Sequence, residues 1–176
     1  MPLRKANCYR KIVRAYTRKS KYQGRGFIKA PPVAKIVKYN MGDSKKSYKY
    51  KITLYTKEDI QVRHNALESV RQVINRKLQK TFGPIGYYLM INVYPHHVLR
   101  ENKMLTGAGA DRMQTGMQQA FGKPVGLAAQ VKKNHPLFTA YINGNVDIIK
   151  YTFKRSSSRL PCKCGVKVEE IKNIQI

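Results

Sequence analysis

The residues of this chain best suited to chemistry gather in one stretch. From Pro95 to Pro124 it reads PHHVLRENKMLTGAGADRMQTGMQQAFGKP, and from Thr106 to Ala110 it holds only threonine, glycine and alanine. His96, His97, Arg100 and Lys103 precede that small-residue run; Arg112 and Lys123 follow it. So few bulky groups bury little apolar area, so the segment gains little from packing on its own protein and is better ordered by a partner. The flanking cations make that partner an anion. Gly107 and Gly109 let backbone come close to it, and Met104, Met113 and Met117 supply adaptable apolar contact beside the charge. The competing reading is a surface loop without a partner.

Other constellations are weaker. Cys162-Lys-Cys164 is a close thiol pair, but a structural zinc site wants four ligands in paired spacings, and two incidental thiols are the simpler reading. His96-His97 has no carboxylate or cysteine at metal-binding spacing, which favours hydrogen bonding or stacking. Glu58-Asp59 and Glu169-Glu170 are adjacent pairs, and neighbours in a strand point to opposite faces, where they cannot share acid–base work. No nucleophile has an arranged base. The Thr106–Ala110 run matches neither G-x-G-x-x-G nor a Walker loop, so a nucleotide pocket is disfavoured. Nothing calls for a cofactor, a metal or a small-molecule substrate.

Charge names the class of partner. The 176 residues carry 35 Lys and Arg against 9 Asp and Glu, a net charge of +26. Self-repulsion of that size opposes a compact isolated domain and is usually met by a polyanion, nucleic acid first. A membrane surface is the alternative, but no apolar run approaches the roughly 18 to 20 residues that span a bilayer. The N-terminus, MPLRKANCYRK, lacks the apolar core of a secretory signal. With 42% apolar residues, 12 Tyr and 5 Phe, the chain can still build one core. Three cysteines without framework spacing point to a reducing compartment.

The elements that must position these residues follow from pattern. Residues 1–29 hold ten Lys or Arg and no acid, interleaved with Tyr9, Tyr16, Tyr22 and Phe27. No apolar period survives there. We expect residues 1–32 to be an extended basic arm, in which Arg4, Lys5, Arg10, Lys11, Arg14, Arg18, Lys19, Lys21 and Arg25 neutralise phosphates while Tyr9 and Tyr16 stack on bases. A disordered solubilising tail would carry fewer aromatics. Residues 33–176 are expected to form one globular domain. Its expected strands are 33–39, 48–54 with alternating apolar positions, 87–94, 127–133, 137–142 and 165–171, with turn chemistry at Asn40 to Ser44. A helix over 65–80 places Leu67, Val70, Ile74 and Leu78 on one face, capped by Asn65 and stopped at Gly83-Pro84. A capping box at Asp111 and Gln114 predicts a short helix ending at Gly122, and Asn145 should cap another that turns Val146, Ile149 and Phe153 inward. The class is α+β: a mixed, mainly antiparallel sheet with two packed helices and the arm.

At these residues the chain resembles a known family. YPHHVLRENKM, GAGADRMQTGM and AFGKP, in that order, are similar to the archaeal and eukaryotic L-ten-e branch of the universal L-sixteen ribosomal proteins of the large subunit. Cys8-Tyr9-Arg10, Tyr16-Thr17-Arg18-Lys19, Arg63-His64-Asn65-Ala66-Leu67-Glu68 and Leu160-Pro161 fall in matching order, so the resemblance spans nearly the whole chain. It implies a hammerhead-type α+β fold and an arm buried in large-subunit ribosomal RNA. It also implies a loop, here about Arg100 to Gly116, that reaches toward transfer RNA and the peptidyl-transferase region. Neighbouring ribosomal proteins and transfer RNA are the further partners it suggests, in a cytoplasmic ribosome. Cys162-Lys-Cys164 is not part of that pattern. The other class of reading is an RNA-modifying enzyme or free nucleic-acid chaperone, which would need a catalytic constellation or cofactor pocket that the residues do not supply.

Overall fold

The computed structural model describes residues 4–16, 28, 30–102, 116–118 and 120–171. In chain order they form β1 (Asn40–Gly42), β2 (Tyr50–Thr56), β3 (Ile60–Arg63), α1 (His64–Phe82), β4 (Tyr87–Ile91), β5 (His97–Glu101), β6 (Lys123–Val131), β7 (Pro136–Ile142), α2 (Val146–Ser156) and β8 (Cys164–Glu170). The strands make two antiparallel sheets, a larger one in the order β1-β4-β7-β2-β8 and a smaller one in the order β3-β6-β5. The fold is therefore α+β.

Cross-strand register decides which face of the larger sheet is covered. Leu89, Ala140, Ile52 and Val168 lie in one row, and Ile91, Phe138, Leu54 and Val166 in the next. Partners directly opposite share a face, so these rows form one apolar surface. Both helices lie against the core it builds. Helix α1 contributes Leu67, Val70, Ile74 and Leu78, all fully buried at helical spacing, and α2 contributes Ile149 and Phe153. The alternate rows, Tyr88-Tyr141-Lys51-Glu169 and Met90-Thr139-Thr53-Lys167, face the other way.

Several local expectations need correction. Residues 33–39 are not a strand: Val33 and Val37 are 89% and 81% exposed, and only Ile36 enters the core. β1 forms instead at Asn40–Gly42, where turn chemistry was expected. There Gly42 has φ +87° and a Cβ would lie 2.0 Å from the Tyr87 carbonyl, a close approach that only glycine allows. Strands β3 and β5 escaped the pattern because both are buried on two sides in part, so neither alternates cleanly. Helix α1 starts one residue before Asn65, so Asn65 is inside it; its Oδ1 is buried without a partner among the described residues. Asn145 precedes α2 but makes no side-chain cap. Gly122 and Pro124 do not stop a helix but lead into β6, and the Asp111–Gln114 box lies outside the described residues.

Replacing Ile74 by Ala removes a fully buried side chain from the centre of α1. The expected cost is about 2 to 5 kcal/mol in urea unfolding of the free protein. A loss below about half a kcal/mol would show that α1 does not carry the core.

Candidate nucleic-acid interface

The smaller sheet carries the basic N-terminal residues, and it holds them by their backbone. The Gln61 backbone N–H donates to the Arg10 carbonyl at 3.1 Å, and the Gln61 side-chain amide donates to the Tyr9 carbonyl at 2.9 Å. Arg63 donates to the Arg4 carbonyl at 2.8 Å. Gln130, the cross-strand partner of Gln61, donates to the Val13 carbonyl at 2.6 Å and to Gln61 Oε1 at 3.0 Å. Farther along, the Val98 N–H donates to the Tyr16 carbonyl at 2.8 Å. Ile28 is buried with Val98 and Leu127, with Tyr16 packed beside them. A segment held through its carbonyls keeps its side chains available for another surface.

The acids divide those side chains into two groups. Glu101 pairs with Arg4 and accepts from the Tyr9 hydroxyl at 3.2 Å; Glu58 pairs with Arg10 at 2.7 Å. The Tyr9 ring also lies under the Arg63 guanidinium, 5.6 Å away, and partial burial followed by the Glu101 charge raises the phenol's pKa. Lys5, Lys11 and Arg14 are exposed and have no acid partner among the described residues. Of the cations expected in the arm, Arg18, Lys19, Lys21 and Arg25 lie outside the described residues.

The same sheet positions both ends of the glycine-rich segment. Arg100, near the end of β5, has its guanidinium over two rings that meet at a corner, 4.1 Å from the Tyr16 centroid and 4.0 Å from that of Phe121, and donates to the Phe121 carbonyl at 2.7 Å. Tyr16 and Phe121 meet edge to face at 5.8 Å. Gly122 follows with φ +77°, and a Cβ there would lie 2.7 Å from the Glu101 backbone, so glycine brings the returning strand against β5. Lys123 then opens β6 opposite Glu101 and is exposed. Lys103, Met104, Gly107, Gly109 and Arg112 lie outside the described residues. A cation held over two aromatic faces is fixed in place, so Arg100 joins the arm to the segment's two ends.

His96 and His97 have separate environments. His96 is exposed and its Nδ1 lies 3.2 Å from the Tyr94 carbonyl. His97 is buried in β5, where its Nδ1 accepts the Tyr16 N–H at 2.9 Å and its ring is tilted against the Tyr16 ring. His64, at the start of α1, accepts the Lys35 N–H at 3.1 Å in the same manner. A nitrogen that accepts a hydrogen bond has no proton, so both rings are held neutral with the proton on Nε2. Burial, then His96 and Arg100, push the His97 pKa down; burial, then Lys35 and Arg63, do the same for His64.

The residues that pattern alone missed are Gln61, Gln130, Arg63, Glu58, Glu101 and Phe121. Gln61 and Gln130 carry no motif, and only the β3–β6 register makes them a pair. Among the described residues, no group of three or more His, Cys, Asp or Glu could hold a metal ion.

The histidine geometry predicts how arm attachment depends on pH. A base whose folded pKa lies below its unfolded value contributes stability that is full above the unfolded value, about 6.5, and is lost as pH falls through it toward the folded one. Protonating His97 also removes the acceptor for the Tyr16 N–H. Hydrogen exchange at Tyr16 should therefore accelerate below about pH 6.5, beyond its intrinsic pH trend, and His97→Gln should remove most of that acceleration. Identical pH profiles for the two proteins would show that His97 does not govern the attachment.

Comparison with known proteins fits this architecture. Residues 13–167 match the family described as ribosomal protein L16p/L10e. The chain is 44% identical over 170 residues to the large ribosomal subunit protein uL16 of Methanococcus aeolicus, covering 96% of this chain and 95% of that one. It is 43% identical over 176 residues to the uL16 of Methanococcus maripaludis, covering 99% and 98%. The Staphylothermus marinus protein of the same name is 42% identical over 173 residues, covering 98% and 97%. A match over almost the entire length, through both sheets and the motif-bearing strands β5 and β6, places this chain in the L16p/L10e family of ribosomal proteins.

Proposed function

We propose that this protein is a structural, non-enzymatic constituent of the large ribosomal subunit in the cytoplasm. In this reading its N-terminal arm binds ribosomal RNA, and its segment from Arg100 to Gly116 extends toward transfer RNA and the peptidyl-transferase region. The observation that carries the proposal is the way the arm is held. Its carbonyls are engaged by the smaller sheet and two of its arginines by Glu101 and Glu58, while Lys5, Lys11 and Arg14 are exposed beside a net charge of +26. Such an array suits phosphates, whose neutralisation supplies sequence-independent affinity. The names of the relatives supply the assembly: each is a large ribosomal subunit protein. No helix among the described residues is long and apolar enough to cross a membrane.

The clamp at Arg100 gives the two RNA-directed parts a mechanical connection. An arm fixed on ribosomal RNA would hold Tyr16, Tyr16 would hold Arg100, and Arg100 would set the exit of the glycine-rich segment. Order in that segment then depends on the arm as well as on its own partner. Neighbouring ribosomal proteins are further partners under this reading.

Two measurements test it. Replacing Lys5, Lys11, Arg14, Arg18, Lys19 and Lys21 together by Gln leaves the clamped Arg4 and Arg10 in place. If all six contact phosphate, the log–log salt slope for binding a ribosomal RNA fragment should flatten by roughly 4 to 5. An unchanged slope would place the RNA surface elsewhere. Deleting Thr106–Ala110 removes five small residues that contribute little to any core, so the free protein should unfold at nearly the same urea concentration. Subunits should still take up the shortened protein but make peptide slowly or mature incompletely. Normal polysomes and normal peptide synthesis from such subunits would refute the role of the segment.

A further inference from the structure

The one close thiol pair lies outside everything assigned above. Leu160-Pro161 ends the turn after α2, the chain bends at Cys162, and β8 begins at Cys164. In a straight strand, side chains two residues apart point the same way but stand too far apart to touch. The bend closes that gap. Cys162 Sγ and Cys164 Sγ are 3.5 Å apart, and the Cys164 thiol also points at the Cys162 carbonyl, 3.7 Å away. Both residues are half-buried against the edge of the core and remain partly open to solvent. The residue between them is fixed: the Lys163 carbonyl accepts the Lys57 N–H at 3.0 Å, tying the bend to the turn between β2 and β3. Glu58 of that turn pairs with Arg10.

We propose that Cys162 and Cys164 form a dithiol modification site, at which a low-molecular-weight disulfide closes a reversible intrachain disulfide. The sulfurs need to approach by roughly 1.5 Å to reach bonding distance, a small motion for two side chains next to a bend. Their roles differ by hydrogen bonding. The Cys164 thiol has the Cys162 carbonyl as an acceptor that keeps its proton in place, and the contact between the sulfurs, then burial, push its pKa up, while the same contact holds that of Cys162 down. Cys162 is therefore the attacking sulfur. Its thiolate attacks one sulfur of the disulfide RSSR, forming a Cys162–SR bond and releasing RS⁻. Cys164 then gives its proton to solvent, and its thiolate attacks Cys162 Sγ, forming the Cys162–Cys164 bond and releasing the second RS⁻. Two protein thiols are oxidised, RSSR is reduced to two thiols, and the protons are balanced by them. Cys8 is exposed and is the internal control: it can accept one adduct but has no second thiol beside it among the described residues.

The test uses the reduced full-length protein and oxidised glutathione, followed by acid quenching, alkylation and tryptic mass analysis. Cleavage after Lys163 separates Leu160–Lys163 from Cys164–Lys167. With the site closed, those peptides should remain linked, at a mass ~2 Da below their sum. Cys164→Ser should stop at a single glutathione on Cys162. Cys162→Ser should lower adduct formation at position 164 by about tenfold relative to that at Cys162 in the first variant. In the unmutated reduced protein, alkylation should reach Cys162 before Cys164, a measurement independent of how the variants fold. Free thiols at both positions under conditions that fully glutathionylate Cys8 would overturn the proposal, as would faster alkylation of Cys164 than of Cys162.

Discussion

A net charge of +26 on 176 residues is more than the chain can neutralise itself, and the rest of the structure depends on how its nine acids are placed. They do not spread evenly. Glu58, in the turn between β2 and β3, grips Arg10, and Glu101 on β5 grips Arg4, fastening the arm at two points. Glu68 pairs with Arg71 on α1, and Glu169 lies between Lys51 and Lys167 on the uncovered face of the larger sheet. Asp59 and Asp43 accept backbone N–H groups in turns. The exposed pairs among these, Arg10–Glu58 and those of Glu169, contribute little to stability individually. Their effect is on position: they select which cations are held against the protein and which stay open to a polyanion.

The two sheets divide the work. The larger one, with α1 and α2, supplies the apolar core and most of the fully buried side chains. The smaller one supplies carriers: β3 and β6 hold the arm through Gln61, Arg63 and Gln130, and β5 and β6 hold the two ends of the glycine-rich segment. Because α1 follows β3 without a break, the core and the carrier sheet are one continuous unit at Arg63–His64. Neutral histidines suit that junction. His64 and His97 give hydrogen-bond acceptors to backbone N–H groups without adding to a positive charge that is already unpartnered.

Arg100 shows why a charge in a motif need not be a direct contact to a ligand. By composition it belongs with the cations around the small-residue run. In the fold it lies over the Tyr16 and Phe121 rings and bonds the Phe121 carbonyl, so its first effect is on geometry. A guanidinium stacks on aromatic faces while its N–H groups bond in the plane, which a lysine cannot do. The same residue thus links an arm and a loop separated by more than eighty positions.

By itself the sequence determined the α+β class, the apolar face of α1, the alternating strand β2, the successive strands β6 and β7 and the excess of cations over acids. Each of these rests on local spacing or on summed charge, which need no knowledge of neighbours in space. Its motifs also carried the family resemblance that the comparisons established. Tertiary structure alone decided the pairing of Gln61 with Gln130, the burial of His97, the placing of Arg100 over two rings and the approach of Cys162 to Cys164. It also decided that 33–39 would stay outside both sheets while three residues at Asn40–Gly42 became a strand. These outcomes depend on cross-strand register and on contacts between distant segments, and a one-residue shift in register would undo them without altering the local pattern.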